Sequence, residues 1–143
     1  MTAPYTGRCT CGQVSLRIES EPLALRQCWC RQCQQIAAGG PTNNALFAAE
    51  GFHIEGELHS HAYIAASGNT LTRQFCPSCG TPVLSGSSAR PNVRVVRLGV
   101  LDEGHGLRPD MAIWTDEAPD WAVIDPAMEQ CARQPAPPPP PQG

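Results

Sequence analysis

Apolar and polar residues alternate with a period of two along much of the chain. In "QVSLRIE", Val14, Leu16 and Ile18 fall on one side, and Gln13, Ser15, Arg17 and Glu19 on the other. Successive strand side chains point to opposite faces, so this stretch reads as a half-buried strand. "LHSHAYIA" alternates in the same way, setting Leu58, Ala62 and Ile64 against His59, His61 and Tyr63. "TLTRQFC", "NVRVVRLGV" and "DMAIWT" are rich in β-branched or aromatic residues and read as further strands. Glycine and proline punctuate the gaps, as in "GGP", "EGFHIEGE", "SGN", "ARPN" and "DEGHG". Trp114 and Trp121, with Ile113 and Val123, look like core strand positions. Only "CRQCQQIAA" has helical character, and it is short. The pattern predicts a mainly β, small antiparallel fold with little helix, and it contains no repeat or heptad.

A chain of 143 residues is long enough for one domain. The last stretch, "QPAPPPPPQG", favours extended polyproline II and carries no large apolar anchor. The expected organisation is a single zinc-binding domain over residues 1–133, with a disordered proline-rich tail over 134–143. The net charge is −3 and no run of basic residues occurs, so there is no electrostatic footprint for nucleic acid or an anionic membrane. The apolar runs are too short to span a bilayer. The N-terminus lacks a basic-then-apolar signal pattern. A cytoplasmic location is the expectation from both features, and neither specifies an oligomeric state.

In a reducing compartment eight cysteines are metal ligands before they are disulfides. Seven fall in three groups: Cys9 and Cys11 in "CTCG", Cys28, Cys30 and Cys33 in "CWCRQC", and Cys76 and Cys79 in "CPSCG". Cys131 stands apart and reads as a plain free thiol. Seven thiolates make one closed four-sulfur site and one site a ligand short. Gly12 and Gly80 directly follow two of the groups. A glycine there reaches positive φ and lets backbone N–H groups aim at the sulfurs. Cys9 and Cys11, placed on one face of an extended strand, would join Cys76 and Cys79 around a structural zinc with no open position. Cys28, Cys30 and Cys33 would hold a second, catalytic zinc whose fourth position accepts a thiolate or polarises a carbonyl oxygen. Two other divisions compete with this one. Cys30 and Cys33 could pair with Cys76 and Cys79 as a two-knuckle ribbon, although the spacing exceeds the usual ~15–20 residues. A redox pair at Cys30 and Cys33 would need a βαβ context that the pattern lacks.

Taken in order, "GRCTCGQVSLRI", "QCWCRQC", "SGNTLTRQFCPSCGTPV", "VVRLGVLDE" and "PDMAIWTDEAPDWAVID" resemble the glutathione-dependent formaldehyde-activating family, which includes the centromere protein V domain. The similarity runs from about Gly7 to Asp125. It implies a β-sandwich or tent-like zinc-binding fold and the same division of the seven cysteines. It also implies a carbon–sulfur lyase-type activity, in which glutathione or a similar small thiol condenses with formaldehyde or a related aldehyde. Relatives often carry His where this chain has Trp29, basic residues where it has Gln34 and Gln35, and His-Ile where it has Met111, Ala112 and Ile113. The competing function is a non-catalytic zinc or thiol-binding module of the same fold.

Several residues near the clusters have an ordinary reading. Arg8, Arg31 and Arg73 lie near the cysteine clusters in sequence and are candidate carboxylate anchors for a peptide thiol, although each of them singly reads as an ordinary surface charge. His53, His59 and His61 read as polar strand positions, and His105 sits in a turn. Asp102 and Glu103 start a turn in solvent. Trp29 either walls a pocket or packs in the core.

Overall fold

The computed structural model describes residues 2–138, so residues 139–143 of the proline-rich stretch lie outside the described residues. Eleven strands form two sheets, with a single short α-helix, α1 (Arg31–Ile36), among the described residues. The smaller sheet has the order β1-β2-β5 and is antiparallel, built from β1 (Tyr5–Arg8), β2 (Ser15–Ile18) and β5 (Phe52–Glu55). The larger sheet has eight strands in the order β11-β10-β3-β4-β9-β8-β7-β6. Its members are β3 (Ala24–Cys28), β4 (Thr42–Ala48), β6 (His59–Ile64), β7 (Thr70–Phe75), β8 (Pro82–Ser87), β9 (Val93–Arg97), β10 (Met111–Ile113) and β11 (Glu129–Cys131).

Val14, Leu16 and Ile18 are buried as the alternation requires, and they share one core with Ala45, Phe47, Leu84 and Val96 of the larger sheet. Removing these apolar faces from water is the main force holding the sheets together. β1 is also joined by backbone to the segment that follows β9. Gly7 of β1 bridges to Leu101, and a Cβ on Gly7 would lie 2.3 Å from the Val100 carbonyl oxygen. Only glycine permits that approach.

Four expectations need correction. First, the fold is not wholly antiparallel, since β10 runs parallel to both β3 and β11. Second, Trp121 and Val123 are 69% and 89% exposed, so they are not core. β10 ends at Ile113, where Trp114 takes a left-handed φ of 56° and turns the chain away from the sheet. Ile113 alone of the four is buried. Third, β6 does not alternate: it is exposed at every position except Tyr63. It is an edge strand whose Ala62 and Ile64 meet solvent, while Tyr63 is half-buried against Arg73. Fourth, Cys9 and Cys11 sit in the turn after β1, not on an extended strand.

At the other end of β1, the Tyr5 hydroxyl donates to Glu21 Oε1 at 2.6 Å, and the Ala3 N–H donates to Glu21 Oε2. The Tyr5 hydrogen bond holds the Glu21 carboxyl below its usual range, whereas burial, followed by this bond, pushes Tyr5 up to about 12. Glu21 therefore adds stability that is complete above about pH 4.3 and fades as pH falls through its lower folded value. Tyr5 adds stability present below about pH 10 that is lost as pH rises toward 12. Glu21→Gln should lower stability at pH 7 by about 1 kcal/mol or less, because Glu21 is solvent-exposed. Thermal melts should show that difference narrowing below pH 4; a gap unchanged down to pH 2 would contradict the assignment.

Candidate metal centres

Two turns of the same design build the first cluster. In each, the glycine N–H bonds back to the first cysteine carbonyl: Gly12 to Cys9 at 3.1 Å, and Gly80 to Cys76 at 2.8 Å. Gly12 and Gly80 have φ of 81° and 76°, the left-handed conformation inferred from their position. The Cys9 and Cys76 N–H groups close each turn on the Val14 and Thr81 carbonyls. The turns are tied together by Thr10 N–H to Thr81 Oγ1 at 3.2 Å and Ser78 Oγ to Gln13 Oε1 at 2.6 Å.

The Sγ atoms of Cys9, Cys11, Cys76 and Cys79 then lie within 4.8 Å of one another. Cys9 and Cys11 are 3.5 Å apart, and Cys11 and Cys76 3.7 Å. Val14 N–H points at Cys9 Sγ at 3.3 Å. Hydrogen bonds from Thr10 and Thr81 bring Cys79 down to about 4. The Gln13 N–H favours a thiolate at Cys11, but burial and its sulfur neighbours outweigh it and push that thiol up to about 12. Cys11 and Cys79 are thus shifted in opposite directions, and the four sulfurs together could hold a metal cation.

Cys28, Cys30 and Cys33 converge within 4.8 Å in a second cluster. Cys28 ends β3, Cys30 caps α1, and Cys33 lies in its first turn, with Cys33 N–H donating to Cys30 Sγ at 3.4 Å. The strand-to-helix corner is what brings three thiols so close in sequence to one point. No fourth His, Cys, Asp or Glu joins them among the described residues.

The surroundings of the trio are polar where a sheet interior is normally apolar. The three buried polar side chains among the described residues are Gln34, Thr42 and Asn44. Thr42 pairs with Cys28 across β3 and β4, and Asn44 pairs with Arg97 across β4 and β9. Arg97 Nη1 donates to Asn44 Oδ1 at 2.6 Å, and Asn44 Nδ2 donates to Thr42 Oγ1 at 2.9 Å. Hydrogen bonds from Cys28 and Cys30, then one from Thr42 and the charge of Arg97, bring Cys33 down to about 3. The bonds to Cys30 and Cys33 push Cys28 far up. Burial pushes the Arg97 guanidinium down, while charge on Cys33 and Cys28 pushes it back. Arg97 Nε is buried and has no hydrogen-bond partner. An orphaned buried donor costs about 1–3 kcal/mol, so it marks a place built for an acceptor.

Trp29 is 3% exposed and is held by its N–H to the Ile113 carbonyl at 3.0 Å and its Nε1 to Gln27 at 3.1 Å. It packs beneath the corner. Gln34 pins α1 by donating to the carbonyls of Trp29 and Glu117 at 2.6 and 2.9 Å. Trp29 and Gln34 thus both hold the corner that carries the trio.

The other candidates divide. Arg8 faces Asp102 at 3.7 Å and is a surface ion pair, and Arg31 bonds Gln34 at 2.8 Å. Arg73 lies over the Tyr63 ring at 5.7 Å. His53 belongs to the smaller sheet, away from His59 and His61 on β6, and no histidine joins a metal cluster among the described residues. Cys131, in β11, joins neither cluster.

No helix of the described residues is long and apolar enough to cross a membrane. A crystal structure of a Rhodobacter sphaeroides protein is 21% identical, with a TM-score of 0.55 over 73% of this chain and 91% of that one, which shows a shared fold. No curated protein sequence matches. The family model described as glutathione-dependent formaldehyde-activating enzyme matches residues 4–117, a span that contains both cysteine clusters, α1 and Arg97. The chain belongs to the glutathione-dependent formaldehyde-activating enzyme family, whose carbon–sulfur lyase-type chemistry joins a thiol to formaldehyde.

Proposed function

We propose that Cys9, Cys11, Cys76 and Cys79 hold a structural zinc ion, and Cys28, Cys30 and Cys33 a catalytic one. The product would be S-hydroxymethylglutathione or the equivalent adduct of a similar small thiol. Residues 1–133 would act as one tent-like catalytic unit in the cytoplasm, with 134–143 as an appended tail. The observation that carries this reading is the inequality of the clusters, four sulfurs in one and three in the other. Zinc–sulfur bonds of about 2.3 Å in a tetrahedron set sulfurs about 3.8 Å apart, and the 3.5 and 3.7 Å separations of the first cluster suit them. Eight free thiols suit a reducing compartment.

Zinc at the trio would supply Lewis acidity and one open position for a thiol or a carbonyl oxygen. The chain's own residues supply the rest. Hydrogen bonds from Cys28 and Cys30, then one from Thr42 and the charge of Arg97, lower Cys33, and the buried Asn44 links Thr42 to Arg97. Gln34 locks the helix that carries Cys33 to the loop that carries Cys30. In the reaction, substrate sulfur attacks the aldehyde carbon, a C–S bond forms, and the carbonyl π pair moves to oxygen, which takes a proton. Holding the two reactants together is the main contribution asked of the site.

The test mixes zinc-loaded protein with glutathione and formaldehyde and follows adduct formation against the uncatalysed reaction. The expected result is acceleration proportional to enzyme concentration. A rate equal to background, with the metal content intact, would leave a binding module.

A further inference from the structure

A cleft of about 300 Å³ opens where β7, β8 and the connection from β8 to β9 meet. Its lining carries Arg90 and Arg94 and no acidic residue, in a chain whose acidic residues outnumber its basic ones, 13 to 10. Neither arginine belongs to an ion pair among the described residues. Arg94 Nη1 donates to the Pro91 and Val93 carbonyls at 2.7 and 3.2 Å, which positions the guanidinium and leaves its other nitrogens unengaged among the described residues. The Arg90 backbone closes a turn, with its N–H on the Ser87 carbonyl at 3.0 Å, while its guanidinium has no partner among the described residues. Hydroxyls complete the lining. Ser87 Oγ accepts from the Ala89 N–H at 3.2 Å, and Ser88 Oγ from the Thr70 N–H at 2.9 Å. Each serine spends a lone pair on backbone and keeps its own proton to donate. Thr72 pairs with Gly86 across β7 and β8, and the missing side chain leaves space there. A Cβ on Gly86 would meet nothing nearer than the Val93 carbonyl oxygen at 3.8 Å.

We propose that this cleft binds the phosphate group of a small molecule. Its lining shares no residue with either cysteine cluster, so the site is separate from the proposed reaction centre. Two guanidinium groups match the double charge of a phosphate monoester above its second pKa of about 6. Planar guanidinium forks and hydroxyl donors together suit the three free oxygens of a phosphate, more than a carboxylate offers. The cleft opens to solvent, so each contact is discounted for screening.

Calorimetric titrations at low salt with ribose 5-phosphate, inorganic phosphate and neutral ribose read the site without turnover. Both phosphates should bind, and ribose should not. Affinity should rise between about pH 5 and about pH 7.5 as the phosphate gains its second charge, since the arginines stay charged throughout. Arg90→Gln and Arg94→Gln should each weaken binding about three- to tenfold, a charge-assisted contact reduced by screening. Arg108→Gln, whose exposed ion pair with Asp125 lies outside the cleft, should bind as the wild type does. Gly86→Val fills the cleft and keeps both arginines, and valine suits a strand. It should melt like the wild type and bind no phosphate. Tighter binding of ribose 5-phosphate than of inorganic phosphate assigns the site to a phosphorylated metabolite, and equal affinity assigns it to the free ion. No binding of either phosphate by the wild type overturns the proposal. Equal losses in Arg108→Gln and Arg90→Gln overturn it too, because they mark general charge attraction. So does undiminished binding by a folded Gly86→Val; if that variant does not fold, the three arginine variants decide alone.

Discussion

Cys76→Ser is expected to give insoluble protein or a chain without a cooperative melt. Cys76 is fully buried, belongs to the core shared by both sheets, and follows β7 at the head of the second turn. The cluster it helps to form joins the turn after β1 to a turn more than sixty residues later, with Cys11 and Cys76 in direct contact. Apparent metal-binding free energies at structural zinc sites reach about 10–16 kcal/mol at neutral pH, while net domain stability is only about 5–15 kcal/mol. Losing one of four thiolates removes much of the former and leaves a buried hydroxyl in the core. A proton–nitrogen correlation spectrum gives the readout. Collapse of dispersion is expected, with Cys131→Ser, which lies outside both clusters, as the folded control. A well-dispersed spectrum from Cys76→Ser would remove the structural role from this cluster.

Cys30→Ala should do the reverse: keep the fold and reduce adduct formation to the uncatalysed rate. Cys30 caps a helix of only six residues through a long 3.4 Å contact to the Cys33 N–H. Its structural contribution is at most that of an ordinary cap, about 1 kcal/mol. For a chain of this size that shifts the melting temperature by a few degrees, about 2–8 °C. The chemical cost is far larger, because two thiolates do not make a site that orients a thiol and an aldehyde together. Retained activity with a normal melt would place the chemistry somewhere other than the trio.

The period-two pattern carried the strands whose faces differ in polarity. β2 is the clearest case, with Leu16 and Ile18 buried opposite Ser15 and Arg17. The pattern was silent on β4, where "TNNALFA" mixes buried asparagine and threonine with apolar residues. Thr42 and Asn44 are tolerated in the interior because they bond to each other and to Arg97, and that polar network breaks the apolar pattern of the strand. Arg97 was likewise hidden, since it ends an apolar strand as an ordinary basic residue; only the β4–β9 register brings it to Asn44. Trp121 and Val123 misled for the opposite reason, because apolar character alone does not specify a partner layer. The cysteine clusters were legible from spacing and flanking glycines, since a metal-binding turn is a local structure.

The most direct measurement is the zinc content of freshly purified protein before and after exposure to a competing chelator, read together with its circular dichroism. Four sulfurs on one ion and three on the other predict two zinc ions per chain, of which one departs readily while the fold and the second ion remain. A single tightly held ion with the trio oxidised, or two ions released together as the protein unfolds, would contradict the account.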